Sequence, residues 1–208
     1  MLSEKIKESS LIKNIVLIGV GGQGTILVSK IISSALVTAG KDVKMSEIHG
    51  MAQRGGSVLT QIRYGENVHS PIISEGEADI LVAFEKMEAL RGSKYLRPQG
   101  TIVVNDYTIM PLPAATGRVS YPSSIVDSLR EKYNTISIDA GEAAIQLGAS
   151  RVMNVVLLGA LVEGYNMTEF DWDRALVDNI KPQFLNLNIS AFAKGRQLAA
   201  ETIIQAAI

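Results

Sequence analysis

Apolar runs of five to seven residues, each closed by a glycine or a polar turn, set the rhythm of the chain. Residues 14–18 (Asn-Ile-Val-Leu-Ile), 78–84 (Ala-Asp-Ile-Leu-Val-Ala-Phe) and 100–105 (Gly-Thr-Ile-Val-Val-Asn) are rich in β-branched side chains and do not alternate. That pattern predicts strands buried on both faces, as in a parallel sheet. Residues 43–48 and 57–64 also read as strands. In the second of these Val58, Leu59, Ile62 and Tyr64 are interleaved with Thr60, Gln61 and Arg63. A turn at residues 65–67 and an extended stretch at residues 70–73 follow, and together with residues 57–64 they read as a hairpin-like insertion.

Helical spacing appears between the strands. Ile26, Leu27, Ile31 and Ala35 predict a helix over residues 25–39, closed by Gly40. A helix starts at Glu85, and another, opened by Pro122-Ser123-Ser124, runs to about Tyr133, before a strand over residues 134–140. Residues 110–121, with Pro111, Pro113 and Gly117, read as a loop. Residues 150–162 predict an amphipathic helix, Asp171 caps a short helix, and residues 188–206 form a long one. The alternation of strands and helices gives an α/β fold: a Rossmann-like open, mostly parallel sheet flanked by helices, with a hairpin-like insertion and a helical C-terminal tail. Nothing in the pattern divides the 208 residues, so residues 1–208 read as one domain.

Two loops carry the polar chemistry. Gly19-Val20-Gly21-Gly22-Gln23-Gly24 lies between the first strand and the first helix. This is the place where glycines let a phosphate reach the amides at a helix's positive end. The stretch Ser46-Glu47-Ile48-His49-Gly50-Met51-Ala52-Gln53-Arg54-Gly55-Gly56-Ser57 lies between the second and third strands. It joins an acid, a histidine, an amide and three glycines to a guanidinium whose planar fork suits carboxylate or phosphate. Glu85, Asn105 and Asp106 fall at the carboxyl ends of strands, where open α/β sheets bind ligands. Each also fits a helix or turn cap, the favoured role for Asp106.

Composition narrows the choice. With 20 basic against 21 acidic residues and few aromatics, neither phosphate neutralisation nor base stacking on nucleic acid is expected. The chain has no cysteine, so it offers no disulfide, thiolate metal site or cysteine-held iron–sulfur cluster. His49 and His69 are not at ligand spacing. The glycine loop lacks the lysine of a nucleotide triphosphatase, and no nucleophile elbow occurs. Residues 1–13 alternate charged and apolar residues rather than forming a signal peptide, and no stretch is long enough to span a bilayer. The expectation is a cytoplasmic protein with no membrane partner, better equipped to bind than to catalyse alone.

Three readings compete on the residues themselves. Gly19-x-Gly21-x-x-Gly24, with Glu47 about 20 residues on, fits a stand-alone NAD(P)-dependent oxidoreductase. The insertion and the lack of a catalytic pair oppose it. A nucleotide-sensing module accounts for the glycines but leaves His49 and Arg54 idle. The third is a component of a larger enzyme. Both loops, together with Ala78-Asp79-Ile80-Leu81-Val82-Ala83-Phe84-Glu85, resemble the gamma subunit or domain of 2-oxoacid:ferredoxin oxidoreductases, and the resemblance extends over nearly the whole chain, including Asn154 and residues 187–195.

That resemblance implies a chain with no catalytic residue of its own, working beside a larger subunit. The larger subunit would hold thiamine diphosphate, magnesium and, in the indolepyruvate branch, iron–sulfur clusters. The reaction implied is oxidative decarboxylation of a 2-oxoacid with coenzyme A, reducing ferredoxin; sister branches act on pyruvate, ketoisovalerate and 2-oxoglutarate. Gly21, Gly22, Gln23, Gly24, Glu47, His49, Gln53, Arg54, Gly55, Gly56 and Ser57 are then the residues expected to face the partner's active site. There the Gly21–Gly24 amides and the loop of residues 53–57 would hold coenzyme A phosphates or a substrate carboxylate. Arg54 would be either the first anion contact or in an ion pair with Glu47 or a partner residue, with His49 and Gln53 orienting it or joining the interface.

Overall fold

A computed structural model describes residues 12–49 and 56–206 of the chain. Among them six strands form one sheet: β1 (Lys13–Val20), β2 (Asp42–His49), β3 (Ser57–Gly65), β4 (Ala78–Ala83), β5 (Leu96–Asn105) and β6 (Asn134–Ile138), in the order β2-β3-β1-β4-β5-β6. β1, β4, β5 and β6 pair in parallel, whereas β3 runs antiparallel to both β1 and β2. The helices are α1 (Thr25–Thr38), α2 (Lys86–Gly92), α3 (Leu112–Ala115), α4 (Ile125–Arg130), α5 (Ala140–Gln146), α6 (Met153–Gly164), α7 (Trp172–Asn179) and α8 (Pro182–Ala206).

The period-2 alternation of β1 makes two cores. Ile15 and Leu17 face α1, α5, α6, α7 and α8, while Val16 and Ile18 face α2 and α4. The helices therefore cover both faces, and the fold is the expected Rossmann-like α/β sandwich. α1 and α2 follow neighbouring strands yet pack on opposite faces. The carboxyl ends of β1 and β4 consequently flank a topological switch point, the place where such sheets bind ligands.

The insertion is real, but its pairing differs from the expectation. The hairpin is β2–β3, and β3 takes the position beside β1 that β2 holds in a plain dinucleotide fold. A short connection forces antiparallel pairing, and burial decides which strand goes inside. Apolar β3 is buried on both faces, whereas β2, with Lys44, Ser46, Glu47 and His49, stays at the edge. Residues 70–73 form no strand. They are strapped to β3 by side chains: Gln61 exchanges two hydrogen bonds with the Ile73 backbone (3.1 and 3.3 Å), and the Arg63 guanidinium donates to the carbonyls of Ser70 and Ile72.

The helical half departs from its predicted outline in four places, the first being the short helix α3 within the stretch 110–121 that reads as a loop. Residues 150–162 are not amphipathic: Ser150–Val152 is a 3-10 turn, and α6 is buried all round from Asn154 to Val162. α5 appears where no helix was expected. α8 begins six residues earlier than predicted, at Pro182, a favoured first helical residue because its missing N–H would have no partner there. The Gly40 closure of α1 is as expected: Gly40 adopts φ 77°, and the Gly40 and Lys41 amides donate back to Val37 and Leu36 (2.9 and 3.0 Å). Among the described residues no helix is long and apolar enough to cross a membrane.

α6 and α8 touch backbone to backbone. A Cβ on Gly159 would lie 2.0 Å from the Phe192 carbonyl oxygen, and one on Gly195 would lie 1.8 Å from that of Val156. A methyl group at either position must force the helices apart. Gly159→Ala and Gly195→Ala are each expected to cost about 2–3 kcal/mol, roughly 5–10 °C in Tm for a chain of this size. Gly141→Ala, whose Cβ meets only an ordinary contact at 3.5 Å, leaves Tm unchanged or slightly raised. Thermal unfolding followed by circular dichroism separates the three.

Candidate functional site

The glycine loop is a framework built from its own side chains. The Gln23 carbonyl Oε1 accepts from the Val20 amide (2.7 Å), and its Nε2 donates to the Phe84 carbonyl at the end of β4 (3.0 Å). The same Phe84 oxygen accepts from Asn105 Nδ2 (3.3 Å), and Asn105 Oδ1 accepts from the Ala140 amide at the start of α5 (3.0 Å). Two side-chain amides thus tie the ends of β1, β4 and β5 to α5. Gln23, expected to face a ligand, has both ends of its amide engaged with backbone; it lines the site as part of the loop's scaffold.

The glycines have separate physical reasons. Gly19 sits against Phe84 and the Gln23 amide, where a Cβ would lie 3.0 and 2.9 Å from them. Gly22 (φ 100°) faces open space. Gly24 (φ 82°) precedes α1, and a Cβ there would come 2.4 Å from Nδ2 of buried Asn154, which donates to the Gly24 carbonyl (3.3 Å). α1 begins with no capping side chain and no acid in its first turn. Its positive end is left directed at the loop, a setting that favours an anion.

The second polar loop meets the first. The Gly21 amide donates to the Gly56 carbonyl (2.9 Å), and Ser57 Oγ donates to Glu88 Oε2 (2.5 Å). Glu88 is buried and also pairs with Arg91 (2.5 Å). Gly50, Gln53, Arg54 and Gly55 lie outside the described residues. Glu47 and His49 stand apart, on the edge strand: Glu47 accepts from Ser29 Oγ of α1 (3.1 Å), and His49 Nε2 lies 3.4 Å from its second oxygen. Because β3 intervenes, Glu47 sits two strand spacings from β1, about 10 Å. The adjacent position that a ribose-binding acid needs is taken by Thr60.

Of the remaining strand-end residues, Glu85 is a cap. It is 1% exposed and accepts from the amides of Glu88 (3.0 Å) and Ile109 (3.2 Å) and from the Tyr121 hydroxyl (3.0 Å). Burial first, and the bond to Glu85 second, push the Tyr121 phenol above its ordinary value. Asp106, expected to cap, instead pairs with Lys86 (2.7 Å).

A cavity of about 440 Å³ opens at this edge, lined by Gly21, Gly22, Gln23, Asn105, Tyr107 and Arg151 among others. A second, of about 400 Å³, lies between Leu27, Asn154, Lys181 and Phe184 and shares Arg151 with the first. Arg151 was missed in the sequence because it was absorbed into a helix. It sits in the 3-10 turn before α6, exposed, between the two cavities. The signal was the preceding Gly148 (φ 89°), which marks a turn rather than a helical start. No group of three His, Asp or Glu able to hold a metal occurs among the described residues.

An open α/β sheet whose glycine loop lines a cavity at the carboxyl ends of its strands, with Arg151 beside it, defines a domain of the Rossmann-like class. The chain belongs to the pyruvate ferredoxin/flavodoxin oxidoreductase family, whose pattern matches residues 14–198. The indolepyruvate oxidoreductase subunit IorB of Pyrococcus horikoshii is 35% identical over 196 residues, covering 91% of this chain and 97% of that protein. The gamma subunit of a keto/oxoacid ferredoxin oxidoreductase from Geobacter sulfurreducens superposes with a TM-score of 0.65 at 25% identity, over 91% of this chain and 99% of that one. The 2-oxoglutarate:ferredoxin oxidoreductase of Magnetococcus marinus, solved with 2-oxoglutarate, coenzyme A and succinyl-CoA, shares the fold (TM-score 0.71, 22% identity). There 92% of this chain matches 31% of the other. The stand-alone dinucleotide enzyme is not favoured.

The two open-loop glycines allow a stability test. Gly22→Ala meets only backbone strain, about 1 kcal/mol. Gly24→Ala adds the displacement of Asn154 and the loss of its bond, and is expected to cost about 2–3 kcal/mol in all. Urea denaturation of the two variants checks the order.

Proposed function

We propose that this chain is the small subunit of a 2-oxoacid:ferredoxin oxidoreductase that acts on indolepyruvate or a related arylpyruvate. The overall change is one 2-oxoacid and coenzyme A to the acyl-CoA, carbon dioxide and a proton, with two electrons passing to ferredoxin. Thiamine diphosphate, magnesium and iron–sulfur clusters belong, in this reading, to a larger subunit. Thiamine supplies the carbanion chemistry of decarboxylation there, and the small chain's part is to hold and orient reactants. A ferredoxin-coupled reaction also fits the cytoplasmic placement, which is part of the proposal.

The supporting observation is the Gly21–Gly56 hydrogen bond. It brings the two polar loops to the uncapped start of α1, beside a cavity with Arg151 on its rim. Phosphate or carboxylate is the chemistry that suits such a place. Gly21, Gly22 and Gly24 shape the cradle and Gln23 braces it; the roles of Gln53, Arg54 and Gly55, which lie outside the described residues, are part of the proposal. Glu47 and His49 hold the departing end of the second loop to α1, while Gly56 and Ser57 hold the returning end. Coenzyme A, bound in the Magnetococcus marinus protein, is an anionic reactant whose phosphates suit such a cradle.

In the assembled complex, Arg54→Ala and Arg151→Ala are each expected to raise KM for coenzyme A or for the 2-oxoacid by about 10- to 100-fold with little change in kcat, the loss of one charge-assisted contact. Steady-state kinetics with each substrate varied in turn checks this. Unchanged Michaelis constants for both substrates would remove that arginine from the site.

A further inference from the structure

The connection between β5 and α4 has the composition of an interface rather than of a solvent loop. Residues 107–117 (Tyr-Thr-Ile-Met-Pro-Leu-Pro-Ala-Ala-Thr-Gly) contain no charge. Yet Leu112 is 75% exposed, Met110 50% and Tyr107 47%, with Ile109 also exposed. Large apolar side chains gathered on a surface, with charge absent among them, mark a contact with another macromolecule.

The segment is also held in shape. Pro111 and Pro113 flank Leu112 in the short helix α3. Buried Glu85 accepts from the Ile109 amide at one end and the Tyr121 hydroxyl at the other. The Lys86 amide donates to the Tyr107 carbonyl (3.0 Å). A surface fixed before binding loses less entropy on docking.

Its position selects the occupant. Tyr107 and Ile109 line the 440 Å³ cavity, as does Ile145, itself 60% exposed. The apolar segment is therefore the rim of the candidate site. In the functional reading above the chemistry comes from another subunit. Of the residues lining the cavity, Tyr107, Ile109 and Ile145 form its exposed, uncharged apolar side, the side suited to a subunit contact. A second copy docked here about a two-fold axis would instead set the two cavity mouths against each other.

We propose that residues 107–117, centred on Leu112 and Met110, are the docking surface for the larger, thiamine-binding subunit. An uncharged apolar patch on that subunit closes over the rim and brings its reacting centre to the cavity mouth. This rests on the functional reading above.

The test uses the full chain co-expressed with the larger subunit of its own organism, purified by a tag on the larger subunit and confirmed by its bound thiamine diphosphate. Leu112→Asp and Met110→Asp are compared with Val37→Asp, an exposed position on α1. The expected result is that the two rim variants lose at least about 30-fold in affinity for the larger subunit, a hot-spot effect. Their circular dichroism and Tm as free chains should match wild type, and Val37→Asp should bind normally. Retention of both rim variants at wild-type affinity overturns the docking surface and leaves the functional reading standing. A wild-type chain that is not retained at all removes both. A free chain that is dimeric in wild type and monomeric in Leu112→Asp, while still binding the larger subunit, assigns the patch to self-association and also overturns the proposal.

Discussion

One antiparallel pairing organises the site. In a sheet of parallel strands, all carboxyl ends lie on one edge, and a strand's beginning lies on the other. Because β3 runs against β1, its first residue, Ser57, is opposite the last residue of β1, Val20. The Gly21–Gly56 bond extends that ladder by one step into the loops. The polar loop between β2 and β3 is thereby delivered to the glycine loop at the binding edge. A one-residue slip would turn Ile62 from core to the opposite face and separate the two loops. The full burial of Ile62 against Ile15 is what makes such a slip costly.

Buried acids then carry the scaffold. Glu85 and Glu88 are nearly inaccessible and lie in or beside the first turn of α2. An unpaired buried carboxylate is strongly unfavourable; each of these is satisfied by several donors. Glu85 gathers Glu88, Ile109 and Tyr121, and Glu88 gathers Ser57 and Arg91. One acid fixes the rim of the cavity and its neighbour fixes the returning end of the polar loop. Both features are therefore referred to the same turn of one helix, whose positive end also favours the charge.

Much of this was legible in the chain, for reasons that differ by element. β1, β4 and β5 declare themselves because two-faced burial demands unbroken β-branched runs. The glycine loop declares itself because φ values near 80–100° at Gly22 and Gly24 exclude other residues. The order of strands was not legible: periodicity identifies β2 and β3 but says nothing about which lies inside, and only the polar content of β2 hinted at an edge. α6 was misread because small residues among large ones imitate amphipathicity, when Gly159 is there for the close approach of α8. Glu47 had the spacing of a ribose ligand and lost that position to an inserted strand.

Gln23 shows why spacing alone could not assign the site. A glutamine among glycines at a helix start reads as a side chain offered to a ligand. Its amide instead holds β1 to the end of β4, and Asn105 repeats the device one strand further on. Both meet the same need: at the ends of β1, β4 and β6 the Val20 amide, the Phe84 carbonyl and the Ala140 amide take side-chain partners. Polar groups in that position must be satisfied by something. Side-chain amides satisfy Val20, Phe84 and Ala140, which leaves the amides of the glycine loop free of that task. A framework tied together in this way would lose little entropy on contact, since its strand ends are already fixed to one another.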